Sequence, residues 1–195
     1  MACIIWGSFA FVLFFLYDFL QMIGPRRAIF SVYVAGGVML ALSTVGLLIT
    51  TEPTLSFWSG FWVLLAMFCL ILLVYTLFVA LPFGETFVRR CGEPQLICKG
   101  VYALCRHPGV LWFSACYFCL WLAWPDHRLL AAWIIFTLWN TLYAWMQDQW
   151  VFPAQFPEYP RYRQTTPFLF PTRQSAAQCF RTLFLQQAGG SSDEI

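Results

Sequence analysis

The sequence predicts an all-α, polytopic membrane protein with about five transmembrane helices. Three observations lead to this prediction. Of the 195 residues, 61% are hydrophobic and only 10% are charged, whereas about a quarter of the residues of a soluble domain are charged. The apolar residues form long runs that a soluble core of this size could not bury. The 21 phenylalanines and 10 tryptophans are typical of a lipid-facing protein, and a net charge of +2 does not favour nucleic-acid binding.

The first 82 residues predict three spans. Residues 3–23 form an apolar run without the basic start and cleavage site of a secretory signal, so they are predicted to be a retained first span. Asp18 lies near the end of this run and is predicted to reach the interface, because a carboxylate is costly inside lipid. Residues 28–50 form the second span, in which Gly36 and Gly37 favour close helix approach. Residues 57–82 form the third span.

The next stretch predicts a long polar loop and two further helices. The loop covers residues 83–108, and the fourth helix covers residues 109–124. A helix of that length measures about 24 Å, which is less than the ~30 Å of a hydrocarbon core, so it begins in the interface or forms part of a hairpin that does not fully cross. His127 lies in a polar turn and is predicted to be solvated. Residues 129–152 form the fifth helix, whose small and polar residues share one face: Thr137, Asn140, Thr141, Ala144, Gln147 and Asp148.

The C-terminal residues are predicted to lie outside the spans. Residues 153–171 are predicted to be ordered but irregular, and residues 172–195 to form a polar tail that frays at its end. A weak amphipathic pattern at Ala177, Phe180 and Phe184 fits the membrane surface. No repeat or change of composition marks a second domain. Residues 1–195 are therefore predicted to form one membrane domain, with three spans over 3–82, a core carrying the site over 83–171 and a tail over 172–195.

The charge distribution predicts an orientation. Ten of the eleven lysine and arginine residues fall on one side of the predicted spans. The positive-inside rule then puts the N-terminus outside and the C-terminus in the cytoplasm, in a bacterial inner membrane or the endoplasmic reticulum. No metal site is predicted, because the spacing of Cys91, Cys98 and Cys105 fits no common zinc pattern. The Cys116-x-x-Cys119 pair lies in an apolar helix without a redox context.

Polar and aromatic side chains are predicted to meet at the cytoplasmic ends of the helices. They are Tyr102, Arg106, His107, Asp148, Gln149, Glu158, Tyr159, Arg161, Tyr162 and Arg163. Arginine suits a carboxylate, an acidic side chain suits an amine or ribose hydroxyls, and aromatic walls suit a base. This set favours S-adenosylmethionine over NADPH, whose extra phosphates call for more basic residues. A simpler interpretation stays open, in which Arg106 reaches lipid headgroups and Pro108 opens the next helix.

The same residues resemble a family. Gly100-Val101-Tyr102, Arg106-His107-Pro108 and Asp148-Gln149, followed by Phe156, Tyr159, Tyr162, Pro167 and Pro171, resemble motifs of the integral-membrane methyltransferases. That group includes isoprenylcysteine carboxyl methyltransferase and the phospholipid N-methyltransferases. The resemblance covers residues 84–171. It implies a cytoplasmic C-terminal cofactor-binding region and an enzyme that uses S-adenosylmethionine to methylate a lipophilic or membrane-partitioning acceptor, such as an isoprenylcysteine, a phospholipid amine or a thiol.

The resemblance also assigns residues to roles. It implies catalytic roles for Arg106, His107 and Asp148. The implied cofactor-binding residues are Gly100, Tyr102, Arg106, His107, Pro108, Asp148, Gln149, Tyr159 and Tyr162. The chain departs from the family pattern, with Gln149 in place of a second glutamate and Val110 in place of a tyrosine. Two alternatives therefore stay open: a non-catalytic relative that acts as a membrane binding or scaffold protein, and a membrane reductase of the sterol type. The acceptor and the oligomeric state are left open.

Overall fold

The computed structural model describes residues 1–23, 26–52, 56–80 and 98–188, without the side chains of 22, 23, 26–29 and 183–188. Every regular element in these ranges is helical, which confirms the predicted all-α fold class. Four helices are long and apolar enough to cross a membrane, namely Ala2–Gln21, Phe30–Thr50, Phe57–Val79 and His127–Gln155. The chain therefore has the helices of an integral membrane protein. Most of the predicted polar loop, including Cys91, lies outside the described residues.

The helices follow the predicted order. The first three are α1 over Ala2–Ile23, α2 over Arg26–Thr50 and α3 over Phe57–Val74, which continues as a π-helical turn over Tyr75–Val79. The next three are α4 over Val101–Leu104, α5 over Pro108–Ala123 and α6 over His127–Met146, which continues as a second π-helical turn over Gln147–Val151. The last three are α7 over Phe152–Gln155, α8 over Tyr159–Thr165 and α9 over Arg173–Ala188.

Five full spans are not confirmed among the described residues. The apolar helix α5 has 16 residues and is shorter than the four candidate spans. Its length of about 24 Å is less than the ~30 Å thickness of a hydrocarbon core, as predicted. The prediction of a solvated His127 is confirmed, since its side chain is 83% exposed. The adjacent Asp126 caps α6, because its carboxylate accepts a hydrogen bond from the Arg128 backbone N–H at 2.6 Å.

The C-terminal residues are more helical than predicted. Residues 153–171, which were predicted to be ordered but irregular, contain most of α7 and the whole of α8. The predicted polar tail begins with the 16-residue helix α9, which includes Ala177 and Phe180 of the predicted amphipathic pattern. A reciprocal cap starts α9. The Thr172 backbone N–H donates to Ser175 Oγ at 2.9 Å, and the Ser175 N–H donates to Thr172 Oγ1 at 3.1 Å. Serine takes the place of the usual glutamate or glutamine of a capping box, which hid this helix start in the sequence.

The chain divides into two compact units, each built from two stretches of sequence. The first unit contains Met1–Leu70 and Trp112–Val151, and the second unit contains Ile71–Leu111 and Phe152–Ile195. This division describes where the contacts of the chain concentrate. It does not test whether the chain forms one domain, so the single membrane domain stays a prediction.

Close packing around Gly7 holds the first unit together. A Cβ atom added to Gly7 would lie 2.7 Å from Phe136 Cε1 and 2.7 Å from Ser43 Oγ, so α1, α2 and α6 meet at this glycine. The Phe11 ring lies 6.1 Å from the Phe136 ring and is 1% exposed. The Ser43 hydroxyl donates to the Cys3 carbonyl at 2.5 Å. Packing of this closeness is typical of small residues between membrane helices.

The two glycines predicted to allow close approach differ in their surroundings. A Cβ atom on Gly36 would lie 2.8 Å from Phe14 Cε1, whereas a Cβ atom on Gly37 would meet nothing within 4 Å. The prediction is therefore confirmed for Gly36 and wrong for Gly37. Two neighbouring residues point to different sides of a helix, so only one of them can face the packed partner.

Asp18 is buried and does not reach the interface as predicted. It is 4% exposed, and the Gln147 side-chain amide donates to its carboxylate at 2.8 Å. Buried polar groups are tolerated when they are hydrogen-bonded. The sequence conceals this partnership, because Gln147 lies 129 residues away along the chain.

Candidate functional site

The Arg-His-Pro segment lies in the second unit and is held through its backbone. The Arg106 N–H donates to the Pro167 carbonyl at 2.9 Å, and the His107 N–H donates to the Phe168 carbonyl at 3.2 Å. Pro108 begins α5, a position where the missing proline N–H costs no helical hydrogen bond. Backbone pairing on one side and a helix start on the other therefore restrict the position of residues 106 and 107.

Two phenylalanine rings surround the predicted site side chains. The His107 imidazole is 8% exposed and stacks on the Phe152 ring at 5.8 Å and an interplanar angle of 15°. The Phe168 ring meets the imidazole edge-on at 5.0 Å. The Arg106 guanidinium lies 5.7 Å from the centre of the same Phe168 ring, within the range of a cation–π contact. A half-buried guanidinium beside aromatic rings can bind a carboxylate or a phosphate through a planar pair of donors.

A π-helical turn connects the end of the third span to this segment. The Ala80 N–H donates to the Tyr75 carbonyl at 2.8 Å, whereas an α-helix would direct it to the Thr76 carbonyl. The Thr76 carbonyl instead accepts a hydrogen bond from the Tyr102 hydroxyl at 3.0 Å. Such turns occur frequently at functional sites. Here the turn provides the acceptor that fixes Tyr102.

Tyr102 and Tyr162 hold the backbone through their hydroxyls. The Tyr162 hydroxyl donates to the Tyr102 carbonyl at 2.6 Å, which ties α8 to α4. Tyr162 is also part of a buried cluster with Phe156 and Tyr159, and the Phe152 ring packs against this cluster. The observed contacts of the two tyrosines are therefore positioning contacts. Their predicted role as pocket walls stays a prediction.

Burial keeps two potential nucleophiles of the second unit protonated. It raises the pKa of the Tyr162 hydroxyl above its ordinary value. It also raises the pKa of the Cys105 thiol to about 11, although a hydrogen bond from the His107 backbone acts in the opposite direction. Neither group is ionised at neutral pH, so neither provides a base or a thiolate there.

Gly100 has a backbone reason to be glycine. Its φ angle is 62°, in the left-handed region where a side chain is strained. Its N–H donates to Thr182 Oγ1 at 3.0 Å, so α9 is bonded to the start of α4. Thr182 was not among the predicted site residues, and neither were Phe152 and Phe168. The backbone carbonyls of Pro167 and Phe168 hold the Arg106-His107 segment, and only Pro167 was part of the motifs that resemble the family.

Asp148 and Gln149, which stand where the resembled family has a pair of glutamates, belong to the first unit. Asp148 is 1% exposed and lies in the π-helical turn that follows α6. The Gln149 side-chain nitrogen lies 3.5 Å from the Asp148 carboxylate. The second unit contains the other predicted site residues, which are Gly100, Tyr102, Arg106, His107, Pro108, Tyr159 and Tyr162. The structure thus brings seven of the nine predicted residues into one unit, and the participation of Asp148 and Gln149 stays a prediction.

No family model, curated protein or solved structure matches the chain. The resemblance to the integral-membrane methyltransferases therefore rests on the motifs alone and stays a prediction. Among the described residues, no group of three or more His, Cys, Asp and Glu side chains is placed to hold a metal ion. The arrangement in the second unit is thus a cation and an imidazole beside aromatic rings, which suits an organic anion.

We expect Tyr162→Phe to destabilise the protein by about 1 kcal/mol, because the hydrogen bond from the hydroxyl of this buried tyrosine to the Tyr102 carbonyl is lost. Thermal unfolding of the purified protein in detergent measures this loss. Tyr75→Phe is the matched control, since Tyr75 belongs to the same unit and is 39% exposed. Equal melting temperatures for the two variants would contradict the positioning role of the Tyr162 hydroxyl.

Proposed function

We propose that this protein transfers a methyl group from S-adenosylmethionine to a lipophilic or membrane-partitioning acceptor. The observation that supports this most is the position of Arg106 and His107, which the 167–168 backbone and two phenylalanine rings hold in the second unit. A guanidinium beside aromatic rings fits a ligand that combines a carboxylate with a heterocyclic base. The motif resemblance adds the reaction class.

Each residue then has a defined task. Arg106 binds the carboxylate of the methionyl end, and the neighbouring imidazole of His107 helps to define that end of the site. Asp148, with Gln149, holds the amine or the ribose, as the resemblance implies. When bound, S-adenosylmethionine supplies a methyl group on a positively charged sulfur, which an acceptor lone pair can displace. The protein mainly positions the two reactants and excludes water.

The acceptor need not be deprotonated by the protein. A thiolate or a carboxylate already carries the lone pair that forms the new bond, so no general base is required. This agrees with the raised pKa values of Cys105 and Tyr162, which leave both groups protonated. The proposed acceptors are an isoprenylcysteine, a phospholipid amine or a thiol. An amine acceptor would have to arrive unprotonated, and a thiol acceptor would have to arrive as the thiolate.

The proposal includes an orientation. The four apolar helices support a lipid bilayer as the environment. Ten of the eleven basic residues lie on one side of the predicted spans, which favours a cytoplasmic C-terminus and an outside N-terminus. The site is then open to soluble S-adenosylmethionine from the cytoplasm, while the acceptor arrives through the bilayer. The membrane is that of a bacterial cell or of the endoplasmic reticulum.

Calorimetric titration of the detergent-purified protein tests the proposal. We expect S-adenosylmethionine to bind with about micromolar affinity and Arg106→Ala to weaken it at least about tenfold, or 1.4 kcal/mol. Arg173→Ala is the matched control, since Arg173 is an exposed arginine of the same unit that does not belong to the predicted cluster, and its affinity should be unchanged. Asp148→Asn should also weaken binding, and an unchanged affinity would contradict the role assigned to that carboxylate.

The other outcomes of the titration favour the alternatives. Saturable binding of NADPH without S-adenosylmethionine binding would favour a membrane reductase. Binding of neither compound would favour a non-catalytic membrane protein with the same helices. Equal losses in Arg106→Ala and Arg173→Ala would indicate a diffuse charge effect and would contradict a site at Arg106.

A further inference from the structure

The C-terminal helix α9 has two opposite faces. Ser175 and Cys179 are 3% and 7% exposed, and Thr182 on the same face bonds to Gly100. Arg173, Ala177, Phe180 and Arg181 are exposed. Successive residues of an α-helix are rotated by about 100°, so the centres of these two sets lie about 180° apart. One face of α9 thus packs on the second unit, and the other face, which we name the outward face, is left uncovered by the described residues.

Two hydrogen bonds place α9 close to the end of a membrane span. The Gly100 N–H donates to Thr182 Oγ1 at 3.0 Å, which attaches α9 to α4. The Tyr102 hydroxyl donates to the Thr76 carbonyl at 3.0 Å, which attaches α4 to the last turns of the span Phe57–Val79. Both bonds lie within the second unit. Because α4 has only four residues, these two bonds connect α9 through a short helix to the C-terminal end of this candidate span.

The charge of this region is of one sign. Residues 159–188 contain four arginines and no aspartate or glutamate, and the arginines are Arg161, Arg163, Arg173 and Arg181. All four are exposed. Aromatic rings accompany them, since Phe180 is 62% exposed and Phe170, just before the helix, is 80% exposed. Basic residues together with exposed aromatic rings are typical of helices that lie on anionic membranes.

We infer that the outward face of α9 binds anionic phospholipid headgroups at the surface of the bilayer that the protein spans. The guanidinium groups of Arg173 and Arg181 donate to headgroup phosphates, which planar guanidinium groups bind well. The Phe180 ring enters the boundary between headgroups and acyl chains. The opposite face of α9 carries Thr182, which is bonded to Gly100. Lipid bound to the outward face therefore helps to hold α9, and through it the start of the segment that carries Arg106 and His107.

Photocrosslinking of the full-length protein tests this inference. Benzoylphenylalanine replaces Phe180, an exposed aromatic position, and the protein is placed in vesicles of phosphatidylcholine mixed with phosphatidylglycerol. We expect lipid adducts at position 180, with phosphatidylglycerol enriched about fivefold over its share of the vesicle, which corresponds to a total preference of about 1 kcal/mol. Arg173→Gln combined with Arg181→Gln should abolish the enrichment, while adducts with phosphatidylcholine persist.

A probe at Gln178 is the matched control. Gln178 is exposed but lies about 160° around the helix from Phe180, so it should give several-fold fewer lipid adducts. Adducts of position 180 with protein, or no adducts at all, would overturn the inference. Lipid adducts without enrichment of phosphatidylglycerol, or enrichment that survives the loss of both arginines, would overturn the assignment of anionic headgroups.

Discussion

Gly7→Ala should lower the free energy of unfolding by about 3 kcal/mol, the upper end of the range for overpacked sites. The new methyl group would lie 2.7 Å from Ser43 Oγ and closer still to the Phe136 ring. Phe136 is 0% exposed, so its ring has no open space into which it can turn. Three helices would have to separate, because Gly7 belongs to α1, Ser43 to α2 and Phe136 to α6. Thermal unfolding in a mild detergent measures the loss.

Gly37→Ala provides the control for this prediction. Its methyl group would meet nothing within 4 Å, and alanine is favoured over glycine in a helix by up to about 1 kcal/mol. We expect its melting temperature to equal or slightly exceed that of the parent protein. If both alanine variants unfolded at the parent temperature, close contact between α1 and α6 at Gly7 would be ruled out.

Asp18→Leu should lower the free energy of unfolding by about 2 kcal/mol, because it leaves the half-buried Gln147 amide without its charged acceptor. Asp18→Asn retains an acceptor oxygen of similar size and should cost less. These variants are compared by unfolding in the same detergent. The loss is expected to exceed that of an ordinary surface change, because Asp18 is 4% exposed.

The double variant Asp18→Leu with Gln147→Leu separates the hydrogen bond from the burial of its partners. Replacing both members of a buried polar pair by apolar residues is often close to neutral. We therefore expect the double variant to recover at least half of the loss seen in Asp18→Leu. Additive losses in the two single variants would show that Asp18 and Gln147 do not interact, which would contradict the hydrogen bond between them.

The spans were predictable because a bilayer imposes a simple condition on a chain. A segment that crosses it must be helical, apolar and long enough, and these properties can be read from consecutive residues. The lengths of α1, α2 and α3 and the shortness of α5 followed from this condition. The Arg106-His107-Pro108 segment was also recognisable, because charged residues next to a proline stand out in an apolar chain. The amphipathic pattern at Ala177, Phe180 and Phe184 indicated part of α9, but not where the helix begins, because its cap uses Thr172 and Ser175.

Tertiary structure decided which of these residues meet. The position of Asp18 near the end of an apolar run predicts a carboxylate at the interface. It is buried instead, because Gln147, 129 residues later, donates a hydrogen bond to it. Gly36 and Gly37 are identical in sequence terms, but only Gly36 faces a packed ring. The rings of Phe152 and Phe168 around His107 come from two further stretches of chain. Composition and periodicity indicate whether one segment faces lipid, water or protein. Hydrogen bonds and ring contacts between distant segments depend on the folded arrangement of the chain.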